Sequence, residues 1–255
     1  MEETWRRFAG HGAEIYDDVE DVSGRVADYL VAGFAQCEPA LVVATPQHWR
    51  SFAVALSARG WLQEDVERHG LLVLADADET LHSFMGVAGP SRIRFEEVVG
   101  ALLDSIGERH PGRRVRVFGE MVDVLCRSGQ PDAAVKLETL WNEVAAKRDF
   151  ALLCAYQLDV FDRSAQVSPL ADVCRLHSHV RPSQDPERLG RAVDAALEDV
   201  LGHAQAAKVY AVAAPSSERA GVPVSQLALS WITSHMPNLA ELVLARARAH
   251  YEATV

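Results

Sequence analysis

Residues Arg113–Tyr156 open with RRVRVFGEM and end with FALLCAY, and the fold class follows from the way these two runs are joined. Val115–Phe118 is a short β-branched and aromatic run that Gly119 ends, and Ala151–Tyr156 is continuously apolar, so both are predicted to be buried strands. The apolar residues between them recur at the spacing of an amphipathic helix: Leu137, Leu140, Trp141 and Val144. A strand, a helix and a strand of this length predict a parallel crossover unit.

Three side chains lie at or near the ends of these predicted strands. Glu120 directly follows the first run, and Cys154 and Tyr156 lie in the second half of the other. Ligands of open α/β sheets bind in the crevice outside the carboxyl ends of the strands. We therefore expect these three residues to face a pocket there.

Strands and helices alternate along the rest of the first 150 or so residues. His11–Tyr16, Ala40–Ala44 and Gly70–Ala75 are predicted strands, and each is followed by a helical pattern. Thr45 and Pro46 supply the cap residue and first-position proline of one such helix. The alternation predicts an α/β fold with a mostly parallel, doubly wound sheet.

The pattern changes beyond Phe161. Pro169–His179 is predicted to be helical, Arg181–Pro186 reads as a linker, and residues 185–255 carry further helical stripes. We expect two domains, an α/β domain over 1–182 and a helical C-terminal extension over 183–255 that serves in interaction or dimerisation.

Composition limits the protein's class and location. The chain has 255 residues, 49% of them hydrophobic, so it can bury a full core, and its net charge of −11 argues against a protein that coats nucleic acid. No apolar run approaches a membrane span, and the first residues, MEETWRRFAG, lack the apolar centre of a signal peptide. We expect a cytoplasmic protein whose four cysteines are free thiols.

Several catalytic motifs are absent from the sequence. There is no phosphate loop of the form Gly-x-x-x-x-Gly-Lys-Ser/Thr and no Gly-x-Gly-x-x-Gly. A Gly-x-Ser-x-Gly elbow and a His-Glu-x-x-His zinc motif are also missing. The turn after the first predicted strand is acidic, from Asp17 to Asp21, and would repel a triphosphate. These features argue against a P-loop nucleotide hydrolase.

The individual candidates each have a structural alternative. Glu120 is suited to accept hydrogen bonds from a ligand or to bind a cation, or else it complements a helix dipole. Cys154 in an apolar strand is either a ligand or a small hydrophobe. His11 is either a ligand or a surface imidazole. Arg116 lies within a buried strand and is expected to form an internal salt bridge, because an unpaired buried charge is costly.

A separate metal-binding hypothesis concerns Cys174, His177 and His179. On a helix Cys174 and His177 share a face, whereas His179 does not, and the spacing matches no standard structural zinc set. The C-terminal helices lack a basic recognition helix, so we expect interaction with protein rather than with DNA.

The ordered motifs from His11 to Pro182 resemble the MEDS family, the sensory domain named after methanogen and methylotroph proteins and a dichloromethane-responsive regulator. The segments that carry the resemblance are HGAEIYDD, GFAQCEPALVVATPQHW, VRVFGEMVDVL, LETLWNEVA, FALLCAYQLDVFD and CRLHSHV. The resemblance implies a RecA-like α/β fold without a phosphate loop. It also implies sensing of small organic compounds, such as simple hydrocarbon derivatives, beside a histidine-kinase or transcription-regulator partner.

Six residues fall at the family's motif positions, which implies that they line one ligand pocket at the top of the sheet: His11, Tyr16, Glu120, Cys154, Tyr156 and His177. The cofactor stays unknown. The leading hypothesis is a non-catalytic ligand or metal sensor that signals to a partner or to a homodimer, without membrane contact. The alternatives are an enzyme that uses Glu120 with Cys154 or a metal, and a regulator that binds DNA through the helical tail.

Overall fold

The computed structural model describes residues 8–167, 169–181, 185–220 and 223–253. Among them the strands are β1 His11–Tyr16, β2 Ala40–Ala44, β3 Leu72–Asp76, β4 Met85–Gly86, β5 Gly89–Pro90, β6 Val115–Gly119, β7 Phe150–Gln157 and β8 His179–Arg181. Six of them form one sheet in the order β3-β2-β6-β7-β1-β8, and β4 and β5 form a separate antiparallel pair. This order differs from the chain order, so helical crossovers connect the strands of the main sheet.

The predicted crossover unit is confirmed. β6 pairs with β7 in parallel, with Val117 opposite Leu152, and β2 pairs in parallel with both β3 and β6. The buried faces of these strands are almost wholly apolar because helices cover the sheet. The prediction of an α/β fold with a mostly parallel, doubly wound sheet is therefore correct.

Helices connect the strands of the first part of the chain. They cover Val19–Phe34, Pro46–Ser57, Gln63–Arg68, Ala77–Phe84, Arg92–Phe95, Ala101–Arg109, Met121–Arg127 and Pro131–Ala145, with a π-helical turn over Glu96–Gly100. Thr45 caps its helix as predicted, since its hydroxyl oxygen accepts from the backbone N–H of His48 at 3.4 Å. Asp76 caps the helix Ala77–Phe84 by accepting from the N–H of Glu79 at 3.0 Å.

The described residues form two compact units. The first comprises the residues up to Glu14 together with Asp18–Gln157, and the second comprises Ile15–Asp17 and the residues from Leu158 onward. The helices of the second unit cover Arg163–Val167, Pro169–Leu176, Pro186–Leu201, His203–Ala220, Val224–His235 and Pro237–Ala253. The domain boundary predicted between residues 182 and 183 lies outside the described residues. None of the described helices has the length and apolar character needed to cross a membrane.

One local prediction needs correction. The helix expected over Pro169–His179 ends at Leu176, and strand β8 follows it. In β8 the buried Val180 alternates with exposed neighbours, which is a strand pattern too short to recognise in the sequence. The short antiparallel pair of β4 and β5 is closed by a turn in which Gly89 has a positive φ of 93°.

Candidate functional site

The central feature of the first unit is a group of polar side chains in its core. Cys154 lies on β7 in register with Gly119, the last residue of β6, and is fully buried. Glu138 projects from the helix Pro131–Ala145 and is 2% exposed. His11 is the first residue of β1 and is 8% exposed. A carboxylate and an imidazole thus share an interior that is otherwise apolar.

Short distances join these side chains. Nε2 of His11 lies 3.3 Å from Sγ of Cys154 and 3.1 Å from Oε2 of Glu138. The same carboxylate oxygen is 3.9 Å from the Cys154 sulfur, and the hydroxyl of Tyr156 donates to the other oxygen, Oε1. We call His11, Glu138, Cys154 and Tyr156 the buried cluster.

Local structure explains why these residues meet. Cys154 and Tyr156 are two residues apart on a strand, so their side chains leave the same face of the sheet. The backbone N–H of Leu152 donates to the carbonyl of Gly10 at 2.9 Å, which places His11 beside β7. Glu138 and Asn142 are four residues apart on one helix and therefore share the face that covers these strands.

Burial and charge keep two members of the cluster neutral. Burial raises the pKa of the Cys154 thiol well above its ordinary value, and the nearby Glu138 carboxylate raises it further. The same two causes raise the pKa of the Tyr156 phenol well above its ordinary value. Cys154 is therefore a thiol, not a thiolate, and a weak nucleophile unless a cation lowers that pKa.

Asn142 orients the His11 ring. Its Oδ1 lies 3.0 Å from Nδ1 of His11, and because an amide oxygen only accepts, Nδ1 carries the hydrogen. Nε2 faces Glu138. It can carry a hydrogen and donate it to the carboxylate, or it can offer its lone pair to a bound cation. A hydrogen bond to the second ring nitrogen is the usual way in which proteins orient a metal-binding histidine.

Glu120 forms a second polar arrangement at the carboxyl ends of β2 and β6. It is fully buried; its Oε1 accepts from the backbone N–H of Thr45, and its Oε2 lies 2.6 Å from Nδ1 of His48. The hydrogen bond to Glu120 raises the pKa of His48. Neither of the two earlier interpretations, a ligand acceptor or a helix-dipole carboxylate, included this His48 partner.

Asp123 ties the helix Met121–Arg127 to the end of β7. Its carboxylate accepts from the backbone N–H of Gln157 at 2.8 Å and from Nε of Arg127 at 2.8 Å. Burial raises the pKa of this carboxyl, although both hydrogen bonds act in the opposite direction. The contacts indicate a structural role.

A cavity of about 180 Å³ lies at the carboxyl ends of β2 and β3. Trp49, Leu74 and Asp76 are among the residues that line it, and none of the six predicted binding residues does. This is the end of the sheet at which the sequence predicts a ligand pocket, but the residues that line the cavity are mostly apolar.

Within the first unit, the structure brings together three of the six predicted binding residues. His11, Cys154 and Tyr156 belong to the buried cluster, whereas Glu120 pairs with His48. Tyr16 and His177 belong to the second unit, and both are buried.

The metal-binding hypothesis for residues 174–179 stays a prediction. Nδ1 of His177 lies 2.7 Å from the carbonyl oxygen of Val173, and His179 is exposed with Nδ1 3.1 Å from the hydroxyl of Ser178. The side chain of Cys174 lies outside the described part of the chain.

Three residues of the site were not predicted from the sequence: Glu138, Asn142 and His48. The signal for Glu138 was present, because it lies four residues after Ala134 and three before Trp141, within the apolar stripe of its helix. A carboxylate in such a stripe predicts a buried charge with a partner. His48 carried no comparable signal, since its partner is 72 positions away in the chain.

The first unit is thus an α/β domain with a mostly parallel sheet and a buried cluster of ionisable side chains. Residues 10–178 match the family described as MEDS, the methanogen/methylotroph, DcmR sensory domain. Because the match covers more than half of the chain, the protein belongs to the MEDS family, which confirms the resemblance found in the sequence. No curated protein sequence matches the chain.

Proposed function

We propose that this protein is a cytoplasmic, non-catalytic sensor that binds a small organic molecule or a metal ion in its first unit and signals to a regulatory partner. Membership of a sensory family supports the regulatory role. The finer statements on ligand, partner and location are our own.

The buried cluster is the observation that carries the proposal. Glu138 and His11 lie in a core where polar groups are costly unless they are paired. Their position beside Cys154 and Tyr156 gives the core a set of donors and acceptors at one point. Polar groups that converge in an apolar surrounding are typical of ligand sites.

Thermal denaturation of the full chain tests this proposal. A ligand that binds only the folded state raises the melting temperature by mass action. The panel consists of short-chain alcohols, amines and halogenated alkanes, together with zinc chloride. We expect at least one compound to raise the melting temperature of the native protein in a concentration-dependent manner.

A matched pair of variants locates the effect. Glu138→Gln removes the buried carboxylate, whereas Glu143→Gln makes the same change on the same helix at a half-exposed ion pair with Arg92. The shift should persist in Glu143→Gln and disappear in Glu138→Gln. A panel without any shift, or equal shifts in both variants, would contradict the proposal.

An enzyme that uses Glu120 with Cys154 is the second candidate. The high pKa of the buried Cys154 thiol and the two hydrogen bonds already made by Glu120 count against it. Substrate turnover that Glu120→Gln abolishes would favour the enzyme over the sensor.

The helical second unit supports signalling to a protein partner, such as a kinase or transcription regulator, or to a second copy of the chain. Four of its described helices lie between Pro186 and Ala253. A shift in oligomeric state on ligand addition, measured by light scattering, would support this route. Sequence-specific and salt-sensitive DNA binding by the full chain would instead favour the DNA-binding alternative.

A further inference from the structure

Three atoms of the buried cluster form a triangle of metal-ligand type. Nε2 of His11, Oε2 of Glu138 and Sγ of Cys154 are separated by 3.1, 3.3 and 3.9 Å. Around a tetrahedral Zn²⁺ with bonds of about 2.0–2.3 Å, neighbouring ligand atoms lie about 3.3–3.8 Å apart. The three atoms therefore already stand close to the positions of three corners of such a tetrahedron.

The chemistry of the three donors selects the class of ion. An imidazole nitrogen, a thiolate and a carboxylate oxygen together suit Zn²⁺ and similar borderline-soft divalent ions, whereas Mg²⁺ and Ca²⁺ take oxygen ligands. A bound cation would lower the pKa of the Cys154 thiol, which burial otherwise raises.

The surroundings of the triangle match a metal site as well. Asn142 lies 3.0 Å from Nδ1 of His11 and so directs Nε2 toward the other two donors. Tyr156 donates to Oε1 of Glu138, which leaves Oε2 to face the triangle. Hydrogen bonds from such outer residues to the ligands are characteristic of protein metal sites.

We propose that His11, Glu138 and Cys154 bind one Zn²⁺-class ion through Nε2, a carboxylate oxygen and Sγ, an inference that rests on the proposed sensory function of this cluster. These three protein ligands account for three of the four positions of a tetrahedral ion.

Cobalt substitution tests the donor set. The full-length protein is stripped with a chelator and titrated with Co²⁺, whose bond to a thiolate gives a charge-transfer band in the near ultraviolet. We expect one equivalent of Co²⁺, a visible spectrum of tetrahedral intensity and displacement by Zn²⁺. If the native protein shows no thiolate band at saturating Co²⁺, the proposal is overturned, and no variant is needed for that conclusion.

Variants then assign the ligands. Cys154→Ser should abolish the thiolate band, and the control Cys37→Ser, which changes an exposed cysteine, should retain it. Asn142→Ala should weaken binding about 10–100-fold while the band persists, because Asn142 orients a ligand but does not bind the ion. Circular dichroism verifies that each variant is folded, and Glu138→Gln provides a second ligand test if Cys154→Ser does not fold.

The outcomes separate this inference from the proposed function. Stoichiometric metal binding that survives both Cys154→Ser and Glu138→Gln overturns the assigned site. An organic compound that stabilises chelator-treated protein through Glu138, with no metal bound, overturns the metal inference but leaves the sensor proposal in place. If neither metals nor organic compounds bind, the metal-site inference and the proposed sensory function are both contradicted.

Discussion

The side chain of Arg116 occupies the space that a β-carbon at position 33 would need. An ideal β-carbon on Gly33 would lie 2.4 Å from Cδ and 2.6 Å from Nε of Arg116. Arg116 is held in place, since its Nε lies 2.6 Å from Oε2 of Glu38 and its guanidinium lies 5.0 Å from the centre of the Tyr29 ring. The predicted internal salt bridge of Arg116 is therefore present, and it depends on a glycine.

Gly33→Ala should destabilise the protein by about 1–3 kcal/mol, the usual cost of overpacking a core. The buried arginine cannot move aside without straining its ion pair with Glu38. Gly24→Ala is the matched control in the same helix, because its β-carbon would lie at an ordinary 3.6 Å from Nη2 of Arg59. Urea denaturation of both variants measures the difference, and equal effects would contradict the argument.

The His48–Glu120 pair should make stability depend on pH. Glu120 raises the pKa of His48 in the folded protein, so the contribution of this pair is fully present below the unfolded pKa of about 6.5 and is lost as pH rises through the folded pKa. We expect the unfolding free energy of the native protein, relative to His48→Asn, to fall as pH rises above about 6.5.

Glu120→Gln tests the cause of that pH dependence. The amide lacks the charge that raises the pKa of His48, so the decline over this pH range should be much smaller in Glu120→Gln than in the native protein. A full decline in this variant would show that another group is responsible.

The loss of stability on replacing Asp123 should depend on whether the new side chain still accepts a hydrogen bond. Asp123→Asn keeps an oxygen for the N–H of Gln157 and removes a charge whose burial is unfavourable, so we expect a cost below about 1 kcal/mol near neutral pH. Asp123→Ala leaves that N–H without its acceptor and should cost about 1–3 kcal/mol. Chemical denaturation compares the two, and an asparagine as damaging as the alanine would show that the ion pair with Arg127 dominates.

The cysteines should differ in alkylation rate. Cys37 is exposed, Cys126 is partly buried with a pKa that burial raises to about 12, and Cys154 is fully buried. Brief treatment with iodoacetamide, followed by peptide mass spectrometry, should modify Cys37 first and Cys154 last. Denatured protein should lose this order, and rapid labelling of Cys154 in the native state would contradict the buried cluster.

Much of the fold could be predicted because the relevant patterns are local. The continuous apolar run Ala40–Ala44 and the short run His11–Tyr16 became strands with those bounds, and Thr45 capped the helix after the first of them. β8 was missed, since its three residues hold a single buried side chain between two exposed ones. A pattern of that length does not distinguish a strand from the end of a helix.

The candidate site was predicted only in part. His11, Cys154 and Tyr156 were identified through a family resemblance, but Glu138, which contacts all three, was not among the predicted binding residues. The position of Glu138 in the apolar stripe shows that its side chain faces the core. That position does not show which residues of the sheet lie opposite the side chain.

The sequence by itself determined the alternation of strands and helices, the apolar face of each element and the absence of a phosphate loop. Only the tertiary structure decided that His11 lies beside Cys154, 143 positions away, and that Glu120 pairs with His48. The physical reason is that periodicity records how each segment meets the core, whereas the strand order β6-β7-β1 arises from packing of the whole sheet. The strand order decides which polar side chains lie next to each other, and no short stretch of the chain encodes that order.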